Sequence, residues 1–203
     1  MKPLTKAIME YAEGLPEGAV IHAKALLHLG NRAAVDQALS RLAKREQLLR
    51  IYRGFYVRLL ESSFESLPGK YPPSVHLVTK HFAHAVGESV VPNPSATANV
   101  LGLTTQNPIR IIYITSGQSR WLKFGDSRSV ELRHAPRWYF NVGDRLSGRA
   151  LRVAGWEGPR NAANILYRLK NELSPSDLRE MAAARPKLPS WLAKEVTKFV
   201  ANG

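Results

Sequence analysis

Leu4, Ala7, Ile8 and Tyr11 recur at i, i+3, i+4 and i+7, the spacing that lines one face of an amphipathic helix. GLPEGA (14–19) ends that helix, and Val20-Ile21 read as a very short extended piece. In HAKALLHLG (22–30), Ala23, Leu26 and Leu27 share a helical face and Gly30 is placed to stop it. Asn31 is a favourable N-cap for a third helix, in which Ala34, Val35, Ala38, Leu39 and Leu42 face inward. Residues 48–51 and 55–59 read as strands joined around Tyr52-Arg53-Gly54, where Gly54 supplies a positive φ. Helix, short strand, helix, tight turn, helix, hairpin is the order of a winged helix-turn-helix.

The pattern then breaks. ESSFESLPGKYPPSV is rich in Ser, Pro and Gly and reads as a linker. A helix is expected from Val75 through VHLVTKHFAHAVGE, and a loop with a short helix through VVPNPSATANVLGL. IRIIYIT, WLKFG and SVELRHA alternate and are rich in β-branched residues, so they predict a small mixed or antiparallel sheet, with RWYF continuing the set. Helices are expected over residues 160–171, from Ser174-Pro175-Ser176 onward, and in PSWLAKEVTKFVA. The expected fold is α+β: a winged helix-turn-helix over residues 1–60, a linker over 61–74, and a mixed α/β effector domain with C-terminal helices over 75–203.

Charge changes the picture more than composition does. Apolar residues make up 44% of the 203 and charged residues 22%, ordinary for a globular chain. Lys and Arg outnumber Asp and Glu by 29 to 16, a formal charge of +13 with a pI near 10.3. That excess favours a polyanion through long-range attraction and counterion release. There are no cysteines, which excludes disulfides and thiolate metal sites. The first residues have no apolar signal-peptide core and no stretch is long enough to span a bilayer. A cytoplasmic protein without membrane contact is expected.

The polar face of residues 31–58 carries the candidate chemistry. A recognition helix lies in the major groove of B-DNA, and the wing follows the backbone. Asn31, Arg32, Gln37 and Arg41 extend toward bases or phosphates, since Gln and Asn pair bidentately with adenine and Arg with guanine. Lys44, Arg45, Arg50, Arg53 and Arg58 suit phosphates, which position without specifying, and Tyr52 offers a phosphate hydrogen bond. Asp36, in the middle of this face, is a cost beside phosphates, though it can accept from a cytosine amino group.

A second basic group, Arg128, Arg133, Arg137, Arg145, Arg149 and Arg152, is interleaved with Trp138, Tyr139 and Phe140. Arginine beside aromatics suits nucleic-acid backbones and bases; equally, Trp138 and Phe140 are core and the arginines a solvated sheet edge. His76, His81 and His84 share a helix but lack a third ligand at suitable spacing, so no metal is expected. SGQS (116–119) reads as a hairpin turn without any phosphate-cradling loop. Asp126, Glu131 and Asp144 are scattered, which disfavours a Mg²⁺-dependent nuclease. No enzyme and no cofactor are expected. An RNA-binding protein using the Arg-rich half, and a protein-interaction adaptor, remain as alternatives.

HAKALLHLGNRAAVDQALSRLAKREQLLRIYRGFYV resembles the winged-helix module of the AbiEi-type antitoxins of type IV toxin–antitoxin systems. NPSATANVLGLTTQNP followed by IRIIYITSGQSRWLKFGDSRSVELRHAPR is similar to that family's effector half. The resemblance spans about residues 4–155. It implies a non-enzymatic repressor that binds inverted repeats in double-stranded DNA upstream of its own operon, with two copies on the operator. It also implies an antitoxin that counteracts a nucleotidyltransferase toxin of the AbiEii type without a stable complex. A stand-alone winged-helix regulator is the alternative within the same class.

Overall fold

A computed structural model describes residues 3–62, 69–105, 110–126 and 128–201. The fold is α+β, with an N-terminal winged helix-turn-helix, central strands and C-terminal helices. The chain divides into two compact units, Met1–Val90 with Gly117–Leu132, and Val91–Ser116 with Arg133–Gly203.

The first unit opens with α1 (Leu4–Glu13), β1 (Val20–His22), a 3₁₀ turn (Ala23–Leu26) and α2 (Arg32–Lys44). The hairpin β2 (Leu48–Tyr52) and β3 (Phe55–Arg58) follows. β3 lies between β1 and β2, antiparallel to both, with Ile21 opposite Tyr56 and Leu49 opposite Val57. Ile8, Leu26, Val35, Leu39, Leu42 and Leu48 are almost wholly removed from water and form one core. Burying each such side chain contributes about 1.5–3 kcal/mol, which is what holds these short elements together.

Helix 22–30, as expected from the sequence, is instead the single 3₁₀ turn Ala23–Leu26. Its threefold repeat keeps Ala23 and Leu26 inside and turns Leu27 outward, 49% exposed. Glu46 closes α2 at φ 54, with its N–H donating to Ala43 O and the Gln47 N–H to Leu42 O. These are the paired bonds of a Schellman motif, with a glutamate where glycine is usual.

The expected linker is partly a sheet. β4 (Leu60–Glu61) pairs antiparallel with β5 (Lys70–Tyr71), Leu60 opposite Tyr71; residues 63–68 lie outside the described residues. α3 (Val75–Ala85) packs against β1, burying Val78, Phe82 and Ala83. β8 (Arg120–Lys123) pairs antiparallel with β9 (Ser129–His134) and lies against β2. Compactness therefore does not break at residue 60: α3 and the hairpin belong with the winged helix, because their apolar faces cover the wing.

The second unit holds most of β6 (Val90–Pro92), then α4 (Pro94–Val100) and β7 (Ile111–Thr115). β7 and β8 are not sheet neighbours, so residues 116–119 connect strands without closing a hairpin. RWYF is not strand: Trp138–Asn141 forms a helical turn, α5. Helices α6 (Leu146–Glu157), α7 (Ala162–Arg168), α8 (Pro175–Ala184) and α9 (Ser190–Ala201) complete the unit. Their core gathers Leu151, Val153, Leu166, Met181, Leu192 and Val196. Ser174 caps α8 in a reciprocal capping box with Asp177.

Candidate nucleic-acid interface

Asn31 occupies the N-cap of α2, its side-chain oxygen accepting from the Ala34 N–H at 2.9 Å. Capping of this kind is worth about 1 kcal/mol, so that oxygen is committed to the helix and only the amide NH₂ points elsewhere. With Val35, Ala38, Leu39 and Leu42 inside, the 3.6-residue period turns Arg32, Asp36, Gln37, Ser40, Arg41 and Lys44 to solvent. Arg32 Nε donates to Asp36 Oδ2 at 2.8 Å, one turn along. Asp36 thus occupies one of the candidate arginines.

Arg41, Lys44, Arg45, Arg50 and Arg53 are all exposed, and none forms an ion pair among the described residues. Arg41 and Lys44 fall in the last turn of α2, where the helix dipole favours cations. Arg50 is an outward position of β2, and Arg53 sits at the two-residue turn between the wing strands. Gly54 holds φ 77, with no atom near the position a Cβ would take, so backbone conformation alone requires glycine there. Arg58 is half-buried on β3.

Positive charge is felt inside the unit as well. Burial, reinforced by the charges of Lys24 and Arg32, holds the His22 imidazole below its ordinary value.

Tyr52 has a packing role beside the phosphate contact expected of it, and it stays 37% exposed. Its ring lies edge-on to Phe82 at 5.7 Å, 6.3 Å from Phe55 and beneath the Arg120 guanidinium. The aromatic body therefore packs the wing onto α3 and β8. Phe82, Glu88 and Arg120 at the wing were not picked out from the sequence, and no local pattern marks them.

The second basic group is drawn from both units. Arg128 lies in the first unit, and Arg133, Arg137, Arg145 and Arg149 in the second. Arg145 pairs with Glu180 at 3.1 Å and Arg149 with Asp144 at 3.4 Å. Arg152 is 2% exposed and bonded to Asp144 Oδ1 (2.9 Å), Tyr139 O (3.2 Å) and Gly143 O (2.5 Å). Its burial lowers its pKa, an effect opposed by Asp144. Trp138 packs against the helical core. Of these arginines, Arg152 does structural work within its unit, while Arg145 and Arg149 pair at the surface.

Among the described residues no group of three or more His, Asp or Glu is placed to hold a metal ion. No helix among them is long and apolar enough to cross a membrane. Residues 7–158 match DUF6088, a family of unknown function, and the chain belongs to it. That span runs from within α1 to the end of α6, taking in α2 and the wing strands. No curated protein matches the chain.

Proposed function

We propose that this DUF6088 member is a DNA-binding transcriptional autorepressor and the antitoxin of a type IV toxin–antitoxin system. It binds inverted repeats in double-stranded DNA near its own promoter, two copies to an operator, and counteracts a nucleotidyltransferase toxin without a stable complex. It works in the cytoplasm, without catalysis or cofactor. The observation that carries the DNA-binding reading is the exposed row Arg41, Lys44, Arg45, Arg50 and Arg53 along a helix and its wing. A helix of this width enters the major groove, and cations on helix end and wing meet the flanking phosphates. Gln37, exposed at mid-helix, is the side chain best suited to read a base edge, with adenine its natural partner. The antitoxin half of the reading rests on the resemblance of residues 93–137 to that family's effector region.

The test is a mobility-shift titration against the DNA upstream of the protein's own gene, with random competitor and at two salt concentrations. A shift that survives competitor and maps to paired half-sites supports the reading. Binding abolished equally by competitor and salt refutes the repressor. Co-expression with a neighbouring nucleotidyltransferase gene tests the antitoxin: unrelieved growth arrest leaves a stand-alone regulator. RNA binding by the Arg-rich second half has less support, because Arg145, Arg149 and Arg152 are engaged in intramolecular pairs.

A further inference from the structure

The wing is held by residues from far along the chain. Tyr52 ends β2 and Phe55 begins β3, so the two rings flank the turn that carries Arg53. Both meet the fully buried ring of Phe82 edge-to-face, at 5.7 Å and 5.1 Å. The Arg120 guanidinium lies 5.9 Å from the Tyr52 ring centre and 5.6 Å from that of Phe82. Arg120 Nη2 donates to Glu88 Oε1 at 2.5 Å and its Nε to Gln118 O at 3.0 Å. The Arg120 and Glu88 side chains are each only 14% exposed. Gly117 makes room for the pair: a Cβ there would overlap the Glu88 carboxylate.

We infer that Glu88 and Arg120 are positioning residues for the wing, holding the Tyr52–Phe55 turn so that Arg53 is presented to DNA in a fixed place. The inference rests on the DNA-binding reading and deepens it. β3 is anchored between β1 and β2, but the hairpin pairing is irregular between Arg50 and Tyr52, next to the turn, and ordering that turn on binding would cost affinity. A planar cation over two ring faces, neutralised and aimed by a carboxylate, orders it in advance. Because Glu88 cancels its charge, Arg120 acts through the wing and not as a phosphate contact.

The test is a double-mutant cycle read on short random-sequence duplex DNA, with Glu88→Gln and Arg120→Met each combined with Arg53→Ala and, separately, Arg41→Ala. Thermal melts verify that each variant folds. Charge alone makes Glu88→Gln bind more tightly, since an anion is removed; the brace makes it bind about three-fold more weakly. That loss disappears in the Arg53→Ala background and persists in full with Arg41→Ala, because only the wing contact is coupled to the brace. Glu88→Gln keeps the side chain's shape and tests the inference even if Arg120→Met does not fold. Tighter binding by Glu88→Gln, or losses that add to that of Arg53→Ala, overturn the brace while leaving DNA binding intact. Failure of the wild type to bind duplex DNA overturns the DNA-binding reading, and the brace with it.

Discussion

The Arg32–Asp36 pair makes the DNA-binding reading quantitative. Arg41, Lys44, Arg45, Arg50 and Arg53 are exposed cations without an ion pair among the described residues, while Arg32 is occupied at 2.8 Å. If each of the five neutralises one phosphate, the logarithm of affinity for duplex DNA falls against log salt with a slope of about −4.5 per copy. That corresponds to about 500-fold between 50 and 200 mM salt. Asp36→Ala releases Arg32 and removes a carboxylate from the reading face, so the slope steepens to about −5.4 and affinity rises. Arg53→Ala moves it the other way, to about −3.6. The cost to folding is small, because both partners of the pair are about half exposed and an i,i+4 pair contributes only about 0.3–0.5 kcal/mol. The assay is fluorescence anisotropy of labelled random duplex, titrated at four or more salt concentrations. A wild-type slope shallower than about −2, or an Asp36→Ala slope no steeper than wild type, refutes the assignment of this face to DNA.

Three further outcomes concern stability. Arg152→Met strips donors from Tyr139 O and Gly143 O and is expected to cost about 2–4 kcal/mol, less than the separate bonds imply because a buried cation is removed too. Urea unfolding followed by tryptophan fluorescence checks it, and a change under about 0.5 kcal/mol contradicts the clasp role. Glu46→Gly relieves a left-handed residue worth about 1–2 kcal/mol against an entropic cost of about 0.5–1, so the melting temperature should rise by a few degrees; a fall rejects the strained cap. Asp177 is held below its ordinary value of 3.8, first by the Ser174 side-chain hydrogen bond. Its stabilisation is present above that value and is lost as pH falls through the lower folded-state value. Asp177→Asn should therefore flatten the acid limb of a stability–pH curve below about pH 4. An unchanged limb excludes the capping carboxylate as its source.

Much of the winged helix was legible from sequence because its determinants are close together in the chain. Asn31 caps α2 from three residues away, the apolar stripe from Val35 to Leu42 repeats with the helix, and Gly54 meets a demand of its own turn. The candidate cations could be named for the same reason, since facing outward follows from periodicity. What misled was equally local. HAKALLHLG has helical spacing, but one 3₁₀ turn buries its two useful side chains. RWYF has strand-like residues, but Trp138 gains more against the helical core than on a sheet. The Arg-rich run offered a nucleic-acid surface or a solvated edge on sequence alone, and only the structure shows Arg145 paired with Glu180 and Arg149 with Asp144.

Sequence alone determined the element order of the winged helix, the exposed basic face and the capping box of α8, since hydrogen bonds over three or four residues and the helical period depend only on near neighbours. Tertiary structure decided that the Tyr52 ring packs on Phe82. It also buried Arg152 and brought Glu88 and Arg120 to the wing. Burial and ion pairing depend on which surfaces the chain brings together, and pairs 32 residues apart, such as Glu88 and Arg120, leave no periodic trace in the sequence between them.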